Sequence, residues 1–574
     1  MIRRRTIFTL AAGTAVAATA TACSDDGSSS EDPSELSMNE FPRNETLYST
    51  GTAWGPPADW NTVTPGEVTG LNGLGYETLF LFDPLTTELT PWLAESGEWT
   101  EELVYTLKLR DGIKWSDGEQ LTSEDVKYTA ELGQIEAVPY ANIWGWLSSV
   151  EAPDDLTVVF TFTEARHQEW NNFLWAEQIV PQHVLSKLSE EELLTGSNEN
   201  PVVSGPYTVH SYDQDRLAWV KRDDWWATEA LGLEVKPRFI VDIVNTSNEV
   251  TLNLMAQGEL DISNNFLPGI QDLIASNPDL STYYPEAPYM LSANTAMLIP
   301  NTTIEPLDDP EFRRAMAFAI DSAKIVDSVY SGLVAASNPT GLLPIWDKYL
   351  DQAVIGEVGF SFDANEAKSI LAAAGYEDAD GDGFVETKGG DPIEFKLNVP
   401  TGWTDWEEAA RSMAADLRAA GINVTEEFLD AGAVDDARTT GDFQLMLNNW
   451  SGTSHTPWTH YRYLFQLPVL DNQSTANFSR WTNEEAWALT EELAATAAED
   501  PRYQEILSEL QRHSLVDMPA IPIWYNGAWS QVNNTVWTNW PSDAEGTPDV
   551  FPSMWNSLWN MGAIYMLTEL KLAE

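Results

Sequence analysis

Beyond residue 44 the chain switches repeatedly between short runs of period-two hydrophobicity and longer runs of helical period. Val104-Tyr105-Thr106-Leu107-Lys108-Leu109, Leu156-Thr157-Val158-Val159-Phe160-Thr161-Phe162 and Pro392-Ile393-Glu394-Phe395-Lys396-Leu397-Asn398-Val399 alternate or concentrate β-branched and aromatic residues, which predicts strands. Helical spacing predicts helices over 309–330, 406–420 and 483–516, the last broken near Pro501, whose nitrogen cannot donate. One stretch reads as a complete βαβ unit: a strand at 395–399, a helix at 406–420, a turn at Gly421 and a strand at Ile422-Asn423-Val424-Thr425. Its parallel strands require a sheet covered by helices, with a ligand crevice at the strand ends. The pattern therefore predicts an α/β protein with more than one lobe.

The first 44 residues follow another logic. Arg3, Arg4 and Arg5 precede an uncharged stretch from Thr6 to Ala22 rich in Ala and Thr, the pattern of a signal peptide. It is too weakly apolar for a spanning helix, which needs about 20 strongly apolar residues. Arg4-Arg5-Thr6-Ile7-Phe8 is similar to a twin-arginine export signal. Ala20-Thr21-Ala22-Cys23 resembles a lipobox, with Ala20 where Leu is preferred, so Cys23 is the expected lipid attachment point. Residues 23–44 are polar and acidic and read as a flexible linker. No second apolar segment of spanning length and no internal repeat follows.

The 574 residues are 43% hydrophobic, enough for at least one large core. Asp and Glu number 89 against 30 Lys and Arg, a formal charge of −59. Such a surface repels nucleic acid and anionic membranes, since phosphate binding needs clustered cations. Cys23 is the single cysteine, which excludes an intramolecular disulfide and a thiolate metal cluster.

The stretch from Tyr105 to Val126, which includes Arg110-Asp111-Gly112-Ile113-Lys114-Trp115-Ser116-Asp117-Gly118, resembles the signature of the family 5 extracellular solute-binding proteins of ABC importers. Its physics is legible as a strand, a turn at Asp117-Gly118 and a helix capped by Thr122. Tyr76-Glu77-Thr78-Leu79, Leu89-Thr90-Pro91-Trp92-Leu93-Ala94-Glu95-Ser96, Gly205-Pro206-Tyr207, Gly258-Glu259-Leu260-Asp261, Leu307 to Ala315 and Leu417 to Val424 follow in that family's order. The resemblance implies a class II periplasmic-binding-protein-like fold of two α/β lobes, an extra subdomain in lobe I and a hinge of two strands. Carried onto this chain, lobe I comprises 45–88, 201–290 and 530–574, its extra subdomain 89–200, and lobe II 291–529. The crossings fall near Met290-Leu291-Ser292 and Ile521-Pro522-Ile523-Trp524. It also implies a monomeric receptor, lipid-anchored on the extracellular face of the cell membrane, that closes on an oligosaccharide or oligopeptide. The receptor catalyses nothing and delivers its cargo to permease subunits driven by their ATPases.

Peptide-binding members of the family carry an Asp that receives the peptide's α-ammonium. In Asn449-Trp450-Ser451-Gly452-Thr453-Ser454-His455 that position falls on Thr453 or a close neighbour, and a neutral hydroxyl cannot compensate a buried charge. The 25 tryptophans point instead to sugar, because indole faces suit the C–H faces of pyranose rings. Trp54 and Trp60 in the loop after the first strand, Trp403 and Trp406 at a strand-to-helix mouth, and Trp450, Trp458 and Trp524 are the candidate stacking residues. Asn449, Thr453 and His455 are candidate hydrogen-bonding partners. The segments around Trp403 and Trp450 also resemble the family's cello-oligosaccharide-binding branch. Trp144, Trp146, Trp170, Trp175, Trp225 and Trp226 are read as packing.

Asp378, Asp380 and Asp382, followed by Gly383 and Glu386, match the front half of a calcium loop, but Gly389 stands where a bidentate Glu is required. The loop reads as a solvated acidic turn or as a structural Ca²⁺ site, and no other cofactor is expected. The six histidines show no zinc spacing, and no P-loop or GxGxxG occurs. A secreted glycan or peptide hydrolase, or a solute-loaded sensor for a membrane signalling receptor, are the competing classes.

Overall fold

Strand Thr46–Thr50 is buried throughout and pairs in parallel with Phe239–Ile243 on one side and Ile262–Ser263 on the other. Three strand ends therefore open in one direction. These strands sit within a seven-stranded sheet, ordered Leu280–Thr282, Gln531–Asn533, Ile262–Ser263, Thr46–Thr50, Phe239–Ile243, Arg216–Lys221 and Tyr207–Tyr212. The computed structural model describes residues 41–53, 55–58, 60–61, 63, 68–449, 453–555 and 560–574. The signal peptide, Cys23, the linker as far as residue 40, Trp54 and Trp450 lie outside the described residues.

A second sheet of five strands is ordered Val424–Leu429, Phe395–Pro400, Leu445–Asn449, Leu291–Pro300 and Ile521–Ala528. The predicted βαβ unit lies here: Phe395–Pro400 runs parallel to Val424–Leu429, and helix Thr404–Ala419 connects them. That helix buries Trp406, Ala409, Ala410, Met413, Ala414 and Leu417, one apolar stripe at helical spacing. The helix predicted over 309–330 is instead two, Pro310–Ala319 and Ser322–Ser328. Asp321 breaks it because its side chain accepts the backbone N–H of Lys324 and caps a new start. The helices Glu484–Ala495 and Pro501–Asp517 reproduce the predicted break before Pro501.

Between Ala94 and Phe162 a four-stranded antiparallel sheet forms a third layer, backed by helix Ser123–Leu132. The two larger sheets define two lobes. The chain passes from one to the other between Thr282 and Leu291 and returns between Ala528 and Gln531. Strands Leu291–Pro300 and Ile521–Ala528, which begin and end this passage, pair antiparallel with each other.

One buried carboxylate gathers three tryptophans. Glu77 is fully buried and accepts the indole N–H groups of Trp92 (3.0 Å), Trp225 (3.1 Å) and Trp226 (2.8 Å). Burial pushes its pKa up, and the donated hydrogen bonds hold it down. The packing reading of Trp225 and Trp226 is thus explained by one acceptor. Replacing Glu77 by Ala strands three buried donors, and urea unfolding of Glu77→Ala is expected to show a loss of about 3 kcal/mol or more.

Candidate functional site

The mouth of the five-stranded sheet is formed where Phe395–Pro400 and Leu445–Asn449 end side by side, running parallel. The chain turns at Gly402, whose φ of +88° excludes most side chains, and places Trp403 immediately before helix Thr404–Ala419. Trp403 is 44% exposed and rests edge-on against buried Trp406, with ring centroids 5.0 Å apart. Trp406 in turn meets Trp524 at 6.2 Å, and Trp524 meets Tyr330 at 5.3 Å. Tyr330 stacks on Trp529 at 6.4 Å, and both touch Phe266, at 5.7 and 5.4 Å. Phe266 lies just beyond strand Ile262–Ser263. A continuous ladder of six rings therefore joins the strand-end loop of one lobe to the strand-end loop of the other.

At the far end of the ladder the mouth of the seven-stranded sheet is lined with amides. Asn265 accepts the Ser263 hydroxyl and donates to the Asn248 side chain at 2.9 Å. Asn245 accepts the Thr251 hydroxyl at 2.8 Å, while its Nδ2 has no partner among the described residues. Gly51 brings the loop after Thr46–Thr50 so close to Asn264 that a Cβ would sit 2.7 Å from its backbone carbon. Below this mouth Asp242 is fully buried and accepts the Ser49 hydroxyl, the Thr52 hydroxyl at 2.9 Å and the Trp555 indole N–H at 2.9 Å.

The ladder carries one half-buried acid. Asp405, in the first turn of helix Thr404–Ala419, accepts the Tyr330 hydroxyl at 3.2 Å. Desolvation lifts its pKa to about 6 despite that bond. Among the described residues no arginine or lysine makes an ion pair or cation–π contact with a ladder residue. Beside the passage between lobes lies a cavity of about 680 Å³, lined by Leu85 and Phe551 on one side, Pro344 and Ile345 on the other, and Met290 and Leu291 between them.

Of the predicted ligand residues, Trp403, Trp406 and Trp524 come together in the ladder, and Asn449 ends the strand beside it. Thr453 is buried and its hydroxyl donates to the carbonyl of Ala293 at 3.4 Å. Through Nδ1, His455 donates to the carbonyl of Thr87 at 2.5 Å, a contact between the two lobes. Two predicted tryptophans pack elsewhere. Trp60 lies in the core against Tyr212 at 4.8 Å, and Trp458 is buried at the start of helix Trp458–Phe465 beneath Arg462. The predicted Trp54 and Trp450 fall outside the described residues. Phe266, Tyr330, Trp529, Asn294 and Asn526 were not singled out by the sequence. Trp529, just past a predicted hinge strand, carried a usable signal, whereas Tyr330 at the end of a helix carried none.

The acidic loop brings one oxygen each of Asp378, Asp380, Asp382 and Glu386 within 4.8 Å of one another. The carboxylates already accept N–H groups of the same loop, those of Gly381, Asp382, Phe384 and Ala379 among them. This is the geometry of a tight acidic turn whose oxygens could also face a cation.

Residues 88–468 match the profile described as bacterial extracellular solute-binding proteins, family 5 Middle. The chain belongs to that family. It is 24% identical over 490 residues to the dipeptide-binding protein of Escherichia coli (strain K12), covering 80% of this chain and 85% of the relative. The crystal structure of an oligopeptide-binding protein of an oligopeptide ABC transporter from Thermotoga maritima is 40% identical, with a TM-score of 0.89 over 93% of this chain and 100% of that one. A mannohexaose-bound structure of that Thermotoga protein gives a TM-score of 0.85 at 40% identity, over 93% and 99% of the two chains. This family member thus has the two-lobed fold of an extracellular solute-binding protein, and no described helix is long and apolar enough to cross a membrane.

Asp242 sets a pH dependence. Its pKa is raised from 3.8 to about 6 by burial, so the folded state holds a proton that the unfolded state releases. The stabilisation is complete below about pH 4 and is lost as pH rises through about 6. Denaturation of wild type and Asp242→Asn from pH 4 to 7 is expected to shift their stability difference toward the variant by on the order of 3 kcal/mol.

Proposed function

We propose that this family member captures a neutral oligosaccharide between its lobes and passes it unaltered to the permease of an ABC importer. The observation that carries this reading is the ring ladder bordered by amides, in which Trp403 presents an exposed stacking face and Trp406, Trp524 and Tyr330 are buried, with hydrogen-bonding groups and little charge beside them. The mannohexaose held by the Thermotoga protein at 40% identity supports it. So does Thr453, at or next to the position where the resemblance places an ammonium-binding Asp. Asp405 favours the rival, an oligopeptide, since a carboxylate beside the rings could pair with an ammonium, and relatives carry peptide-binding names. We take the protein to be a monomer without catalytic activity, its lobes spanning 45–88 with 201–290 and 530–574, and 291–529. The open and closed forms would exchange, with ligand favouring closure because only the closed form touches it from both sides.

Mannohexaose or cellohexaose is expected to raise the melting temperature by several degrees, to bind with micromolar or tighter affinity, about −8 kcal/mol, and to be recovered at its original length. A response to peptides and to no glycan would replace the sugar reading. Trp403→Ala is expected to weaken glycan affinity about tenfold in isothermal titration, through loss of an exposed stacking face.

For location, we propose that the mature chain is tethered outside the membrane by diacylglycerol on Cys23. Cys23→Ser is expected to move the protein from the membrane fraction to the medium, read by fractionation and blotting.

A further inference from the structure

Strand Leu445–Asn449 ends opposite Ala296, so the preceding part of Leu291–Pro300 extends beyond it, paired with Ile521–Ala528. In this ribbon between the lobes Asn294 stands directly opposite Asn526, and Ala296 opposite Trp524. Strand alternation puts Asn294, Asn526 and Trp524 on one face, the face that the ring of Trp524 shares with Tyr330 and Trp406.

The two faces of the ribbon differ in how their polar groups are satisfied. On the opposite face the Thr295 hydroxyl donates to Gly341 at 2.7 Å, and the Tyr525 hydroxyl donates to Leu342 at 2.8 Å while accepting the Asn338 side chain. On the ladder face, Oδ1 of Asn294, Oδ1 of Asn526 and Nε1 of Trp524 are shielded from solvent and have no hydrogen-bond partner among the described residues. Buried polar atoms are nearly always paired, so three open ones on neighbouring ribbon positions call for a partner beyond the described residues.

We infer that Asn294 and Asn526 are a specificity-determining pair that hydrogen-bonds neighbouring hydroxyls of a neutral saccharide lying against the Trp524 ring. The inference rests on the oligosaccharide reading above and names the residues that would read the sugar's hydroxyl pattern. Cross-strand side chains begin about 5 Å apart at Cβ, within reach of one sugar ring. Each amide offers both acceptor and donor, as hydroxyls require, and neither can compensate a charge.

The test exploits the open atoms. In a ligand-free protein, replacing an unsatisfied amide by a similar-sized apolar side chain removes no internal bond, whereas it deletes the contact to ligand. Asn294→Leu and Asn526→Leu are expected to leave the ligand-free melting temperature unchanged or higher and to weaken mannohexaose affinity tenfold or more in isothermal titration. Asn294→Ala and Asn526→Ala serve under the same criterion where leucine does not fit. Wild-type binding with variant affinities within threefold overturns this pair and leaves the oligosaccharide reading standing. A fall of the ligand-free melting temperature by more than about 5 °C assigns the amides to the fold and also overturns it. Failure of wild type to bind mannohexaose and cellohexaose removes the oligosaccharide reading itself, and binding of a neutral peptide instead reassigns the amides to a peptide backbone.

Discussion

The antiparallel pairing of Leu291–Pro300 with Ile521–Ala528 is the constraint on which the rest depends. These strands belong to the five-stranded sheet at one end and lead into the seven-stranded sheet at the other. A strand pair twists and bends more readily than a packed sheet, so a ribbon of this kind is suited to a hinge. The same pairing fixes which residues face the cleft. A slip of one residue would exchange Trp524 and Asn526 for Tyr525, whose hydroxyl donates to the carbonyl of Leu342.

The tryptophans divide according to what their indole N–H meets. Trp92, Trp225 and Trp226 share Glu77, and Trp555 holds Asp242, so each is locked into the core by a carboxylate whose pKa burial raises and whose indole hydrogen bonds pull back down. Nε1 of Trp524 has no acceptor among the described residues, and the same holds for Trp170, Trp219 and Trp458. What distinguishes Trp524 is its place on the ribbon beside two open amides and five other rings.

Among the described residues the ring ladder is poor in charge. The formal charge is −59, and few of the described acidic side chains are buried; among the described residues the ladder has one half-buried acid as a hydrogen-bond partner, and the mouth opposite is lined with amides. The charge therefore bears on solvation and on repulsion of other anions.

The α/β class, the βαβ unit around helix Thr404–Ala419, the family and the placement of Trp403 were all legible in the chain, because each rests on local periodicity or on a contiguous motif. The break at Asp321 was missed because side-chain capping competes with a hydrophobic period that continues through it. Trp60 and Trp458 looked like crevice residues because composition cannot say which face of a loop or helix turns inward; burial in the core decided that. Phe266, Tyr330 and the Trp524–Trp529 stretch are three separate segments whose rings came together only when two sheets converged on a shared strand pair. Sequence determines which residues can stack, and only long-range strand pairing determines which of them meet, since that register is set by contacts hundreds of residues apart.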